Sequence, residues 1–188
     1  MEPAALIWGP HLADYFMGEG HPLDPARLTY AVELMAAFGF PEPADILAPG
    51  ESPEDDLLLV HSSGYIEAVR HAGDWATDFR PTMGLGTADN PIFPGMHEAA
   101  ALTCGATTLG IEEVVSGRRR RTFAIAGGMH HAHRSRAAGF CVYNDAAVGI
   151  SVARRARPDL KVLYIDVDAH HGDGVQEAFA SSPDVMTI

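Results

Sequence analysis

Apolar residues are spaced along this chain in two alternating rhythms. AALIW at 4–8, RTFAIAG at 121–127, KVLYI at 161–165 and VMTI at 185–188 are compact runs that read as buried strands. Between them the spacing turns helical. GEGHPLDPARLTYAVELMAAFGF carries turn signals and then an amphipathic helix, with Asp24 as N-cap, Pro25 at the first helical position and Gly39 as the stop. Ser52-Pro-Glu-Asp opens a short helix, and SSGYIEAVRHAG opens another at a serine cap, with Gly73 as its end. Residues 96–115 are apolar and small all round, which predicts a helix buried between other elements. Further helices are expected from about 144 to 157, ended by Pro158, and over 174–182. Residues 80–95, rich in Gly and Pro, read as a long loop, and long loops inside compact domains usually serve function.

Strands alternating with helices imply right-handed βαβ units. The predicted fold is therefore α/β: a three-layer open parallel sheet with helices on both faces. A chain of 188 residues suits one domain, and it contains no repeat, low-complexity tract or linker. The last residues lie within an apolar strand pattern. We therefore expect residues 1–188 to be the N-terminal part of a single domain whose remainder is absent.

Charge narrows the partners. With 13 Lys and Arg against 25 Asp and Glu the formal net charge is −12, which repels phosphate backbones and argues against direct nucleic-acid binding. The basic run Arg118–Arg121 reads as a solvated turn. Cys104 and Cys141 form neither a CxxC pair nor a disulfide framework and suit a reducing compartment, and Cys141, beside the candidate site, is expected to be a buried inert thiol. No signal-peptide pattern or membrane-length apolar run is present, so a cytoplasmic address with no membrane partner is expected.

The chemistry is concentrated after two strands. GGMHHAH follows RTFAIAG, and DVDAHHGD follows KVLYI; if these strands are neighbours, the two clusters meet at the carboxyl rim of the sheet. Extended backbone would place Asp166, Asp168 and His170 on one side. Asp-x-His supplies an oxygen and an imidazole nitrogen to a divalent ion, and His130 and His131 are natural partners for Asp166 and Asp173. An aspartate on one ring nitrogen fixes the tautomer and raises the basicity of the other. Gly127 and Gly128 continue into no phosphate-loop pattern and read as close packing.

GGMHHA at 127–132, GFCVYND at 139–145 and YIDVDAHHGDGVQEAF at 164–179 resemble the zinc-dependent histone deacetylase superfamily. GHPLDPARL, VHSSGYIEAV and ADNPIF extend the likeness over essentially the whole chain, towards the acetoin-utilization deacetylase branch and an arginase/deacetylase-like fold. The resemblance implies hydrolysis of the acetamide of acetyl-lysine. It assigns Asp168 and His170 as zinc ligands, with Fe(II) an alternative on the same groups. His131 would be general base and acid, backed by Asp173, and His130 its electrostatic neighbour, backed by Asp166. Gly139 and Phe140 would line the acyl-lysine channel, and Asp89 would grip the substrate backbone. Potassium would bind at Asp166 with the carbonyls of Asp168 and His170, and at a second site through Phe179, Ser182 and Val185.

The same resemblance locates a third zinc ligand and a transition-state tyrosine downstream of residue 188, and Tyr15, Tyr30, Tyr65, Tyr143 and Tyr164 do not match that tyrosine's setting. The isolated chain is accordingly expected to be inactive or nearly so. The implied partners are an acetylated protein such as acetyl-CoA synthetase or, alternatively, a small acetylated amine such as an acetylpolyamine. A non-catalytic acyl-lysine-binding fragment is the third reading.

Overall fold

The structure, a computed structural model, describes residues 4–42, 45–72 and 83–188. Strand β1 (Ala5–Ile7) is fully buried and pairs in parallel with β2 (Ile46–Leu47) on one side and β3 (Thr122–Ala124) on the other. A second parallel pair joins β4 (Val162–Tyr164) to β5 (Val185–Thr187). The hydrogen-bonded order is thus β2-β1-β3 and, separately, β4-β5. β3 and β4 do not pair with each other, and Phe123 and Leu163 on these strands are half exposed.

Helix α1 (Ala26–Ala37) follows the Asp24 turn, whose carboxylate accepts from the Ala26 N–H at 2.9 Å, while Pro25 occupies the cap position. Ser52-Pro leads into the one-turn α2 (Glu54–Leu57), and α3 (Ser63–His71) is capped by the Ser62 hydroxyl, which accepts from the Tyr65 N–H. The expected stop at Gly73 and the first residues of the 80–95 loop lie outside the described residues; 83–95 form turns without regular structure.

Helix α4 (Met96–Val115) is the spine of the fold. It packs lengthwise on α5 (Asp145–Ala156) and also touches β1, β3 and α3. Its run of Ala, Thr, Cys and Gly is explained by that position, because large side chains would hold the neighbouring backbones apart. Gly105 is the tightest case: a Cβ there would stand 1.8 Å from the Gly50 carbonyl oxygen, where the 50–52 backbone crosses and Ser52 N–H donates to Ala101 O. The main core gathers Leu57, Tyr65, Ile66, Val69, Met96, Cys104, Val142, Tyr143 and Val148 among α3, α4 and α5. The last helix, α6 (Asp173–Phe179), leads from the histidine-rich loop to β5. The arginine run is the expected turn, pinned by Arg118 on Glu113 and Arg119 on Asp45.

Candidate active site

The two loop clusters do meet, although their strands are not paired. Gly127–Tyr143 leaves β3, Ile165–Gly172 leaves β4, and His130 Nδ1 lies 2.7 Å from Asp166 Oδ2. His131 Nδ1 lies 2.8 Å from Asp173 Oδ1. An ionised carboxylate can only accept, so each ring carries a proton on Nδ1, and in the neutral form of the ring that leaves Nε2 as the acceptor. The two imidazoles are stacked with centroids 4.1 Å apart.

Both aspartates are held ionised. Burial pushes the Asp166 carboxyl up, but hydrogen bonds from His130, the Tyr164 hydroxyl and the Asp168 N–H outweigh it and bring the group below its ordinary range. Asp173 is treated alike: burial raises it, while the bond from His131, the charges of His133 and His131, and the Gly174 N–H carry it down.

Residues 165–170 correct one expectation. Regular strand ends at Tyr164, and beyond it the backbone folds into successive aspartate turns: Asp168 N–H donates to Asp166 Oδ1, and His170 N–H donates to Asp168 Oδ1. Asp166, Asp168 and His170 therefore do not share a side as positions of one strand. Asp166 turns back to His130, whereas Asp168 and His170 face a cleft of about 600 Å³. His130, His131, Gly139, Phe140 and Asp89 line the same cleft, together with Leu23, Arg27, Met129 and Cys141.

Asp168 Oδ1 and His170 Nδ1 lie 3.0 Å apart, two donors of the types that suit zinc, converging on one wall. Among the described residues no group of three or more His, Cys, Asp and Glu side chains could hold a metal ion. The donor chemistry fits a divalent ion; the count falls one short of a usual catalytic zinc site. Phe179, Ser182 and Val185 come together at the turn between α6 and β5, where Ser182 N–H donates to Phe179 O and Val185 N–H to Ser182 O.

A histone deacetylase domain matches residues 21–188. The chain belongs to the histone deacetylase family. It is 40% identical over 190 residues to the acetoin utilization protein AcuC of Bacillus subtilis (strain 168), covering all of this chain and 49% of that protein. To the AcuC of Staphylococcus aureus (strain MRSA252) it is 33% identical, over 48% of that protein. Two solved structures, an HDAC homologue complexed with SAHA and an HDAC homologue from Aquifex aeolicus, each superpose with a TM-score of 0.87 at 32% identity, covering 99% of this chain and 50% of theirs. The chain thus has the expected deacetylase-like α/β fold and spans about half the length of the curated relatives it matches.

Behind this cleft lies a buried scaffold that sequence reasoning passed over. Asn144 caps α5 by accepting from Ala147 N–H and donates from its amide to Ala132 O, tying the helix to the histidine loop. Asp145 accepts from Met129 N–H at 2.6 Å, Gly128 N–H at 3.1 Å and the Thr107 hydroxyl. His61, fully buried, bridges His133 O through Nδ1 and Asn144 N–H through Nε2. The Asn-Asp pair opening a helix was a readable cap signal; the reach of Asp145 and His61 across the fold had no local sign.

Proposed function

We propose that this chain carries the histidine dyad and two metal ligands of a zinc-dependent deacetylase that removes acetyl groups from lysine side chains of proteins. The observation that carries the reading is the pair of His–Asp couples set beside Asp168 and His170 in one cleft. Asp168 and His170 would hold zinc, or Fe(II) on the same donors, and the ion would supply a Lewis acid for the amide carbonyl and the attacking water. His131 takes the water's proton on Nε2, because Nδ1 is held by Asp173, and returns it to the departing lysine amine. His130, held by Asp166, lies against the His131 ring and contributes charge as the tetrahedral centre forms.

Phe140 and Gly139 border the path of the acyl-lysine stem, and Asp89 at the rim accepts from the substrate backbone. Structural potassium would be held by Asp166 with the carbonyls of Asp168 and His170, and at the Phe179–Val185 turn. The substrate class is an acetylated metabolic enzyme such as acetyl-CoA synthetase, met in the cytoplasm.

A catalytic zinc usually takes three protein ligands, so we expect turnover to need one more than Asp168 and His170. The test is zinc-dependent release of a fluorophore from an acetyl-lysine peptide by this chain, by a form extended to the length of its relatives, and by the extended His131→Ala variant. Activity confined to the extended form and abolished by the substitution supports the reading. A folded, zinc-loaded extended form that is silent on acetyl-lysine peptides overturns it.

A further inference from the structure

The dyad does not end at Asp173. His133, two residues beyond His131, also reaches α6: its Nδ1 lies 2.7 Å from Glu177 Oε2, and its Nε2 lies 3.3 Å from Asp173 Oδ2. Asp173 and Glu177 are one turn apart, so they project from the same face of α6 and flank the His133 ring. The two oxygens of Asp173 are thereby divided. Oδ1 accepts from His131 Nδ1 and from the Gly174 N–H, while Oδ2 faces His133.

Two observations set His133 apart from an ordinary surface histidine. Its side chain is 12% exposed, although Glu177 is 58% exposed and Asp173 45%. Its Nε2 is buried with no aligned hydrogen bond, and a nitrogen so placed is not left idle without cost. With a proton on each ring nitrogen, Nδ1 donates to Glu177 and the acceptor in reach of Nε2 is Asp173 Oδ2, which a small rotation of the carboxylate brings into line. The backbone fixes the ring's position independently: His133 N–H donates to Arg136 O, and His133 O accepts from the buried His61.

We propose that His133 is a positioning residue for this site: anchored on Glu177, it occupies the second oxygen of Asp173 and so holds that carboxylate in the rotamer that presents Oδ1 to His131. Without it, Asp173 is free to turn its exposed oxygen inward or to leave His131 for water. The His131 ring then loses the partner that fixes its Nδ1–H tautomer. The consequence for catalysis rests on His131 being the base, but the arrangement itself does not.

The experiment follows the ring nitrogens by NMR, in the 188-residue chain with labelled histidine at neutral pH, so it needs no turnover and stands even if deacetylation is not found. In the wild type His131 is expected as a single Nδ1–H tautomer. His133→Phe keeps a planar ring in the same space but removes both ring nitrogens, and is expected to give His131 a mixture of tautomers while the fold, followed by backbone amide shifts, is retained. Glu177→Ala, on the exposed side of α6, removes the anchor without touching the buried ring and is expected to act in the same direction more weakly; it carries the test if the first variant does not fold. His131 ring signals identical to wild type in the folded variants, or a wild-type His131 without the Nδ1–H tautomer, overturn the proposal.

Discussion

Gly139 stands so close to His131 that a Cβ at position 139 would lie 2.4 Å from Cδ2 of the imidazole. Gly139 also has φ +51° and Phe140 φ +70°, so the two central residues of the 138–141 hairpin both occupy the left-handed region. That is the geometry of the two-residue turns that match strand twist. Glycine supplies it freely at 139; at 140 a phenylalanine is held there by its surroundings. The Tyr15 hydroxyl does much of the holding, donating to Phe140 O at 2.8 Å and accepting from Val142 N–H at 3.0 Å.

Gly139→Ala should therefore do two things. The added methyl collides with His131, and the backbone conformation becomes unfavourable by about 1 kcal/mol before any clash is counted. Urea denaturation should show a loss of roughly 1–3 kcal/mol. The His131 ring resonances should shift, while those of His61 at the far side of the loop stay in place.

Tyr15→Phe removes the hydroxyl and leaves the part-buried Phe140 carbonyl and the buried Val142 N–H without that partner. Burial drives the Tyr15 phenol well above its ordinary pKa, so it remains a neutral donor throughout the accessible pH range. The expected cost is about 1–3 kcal/mol of stability in a denaturant titration.

How far the sequence foretold all this depended on whether the signal was local. Helix α4 was readable to the residue because its apolar surround, its start after Gly95 and its end at Ser116-Gly117 all lie within the segment. The His130–Asp166 and His131–Asp173 couples were legible because the histidines and aspartates crowd the loops directly after β3 and β4, and those loops meet even though the two strands do not pair. The arrangement within 165–170 was not. Pairing with β5 carries as far as Asp166, whose N–H donates to Ile188 O, and from there the Asp166 and Asp168 side chains capture the N–H groups two residues on. His133 could have been noticed from H-x-H spacing opposite Asp173-x-x-x-Glu177, but only with the loop and α6 already placed side by side.

The cysteines should be inert in the folded chain. Burial pushes the Cys141 thiol up to about 12 and the Cys104 thiol well above its usual value, so little thiolate exists at pH 8. Iodoacetamide should leave both unmodified under native conditions and label both in denaturant, read by intact mass. Rapid native labelling of Cys141 would show that the cleft wall opens.

Asp145 should matter more to stability than any residue lining the cleft. It is buried, and burial raises its carboxyl even though Thr107, Met129 and Gly128 all donate to it. Asp145→Ala leaves those donors unpaired at the root of the histidine loop, with an expected loss of about 3–5 kcal/mol. Asp145→Asn keeps an acceptor for part of the set and should cost less, which a paired denaturation series would measure.

His61 should make the fold acid-sensitive well above the range in which carboxylates titrate. Burial lowers its pKa from 6.5 to about 4, because a charged ring would be stranded between His133 O and the Asn144 N–H, which needs an unprotonated Nε2. The unfolded chain binds a proton at His61 below about 6.5, and the folded chain does not until about 4. Between those limits the unfolded state holds more protons, so stability is fully present above the upper limit and falls as pH drops towards the lower. The full loss is of the order of 3 kcal/mol. His97, lowered by burial and Arg70, adds to the slope with the same sign. Asp166 and Asp173, whose carboxyls are depressed, lose their contribution below their unfolded values, under pH 4, and so leave this window clear. Urea midpoints taken at intervals from pH 7.5 to 4.5 should decline for the wild type and decline less for His61→Gln, which starts from a lower stability because one of the two bridges is lost. Parallel curves for the two proteins would mean that the acid sensitivity arises elsewhere.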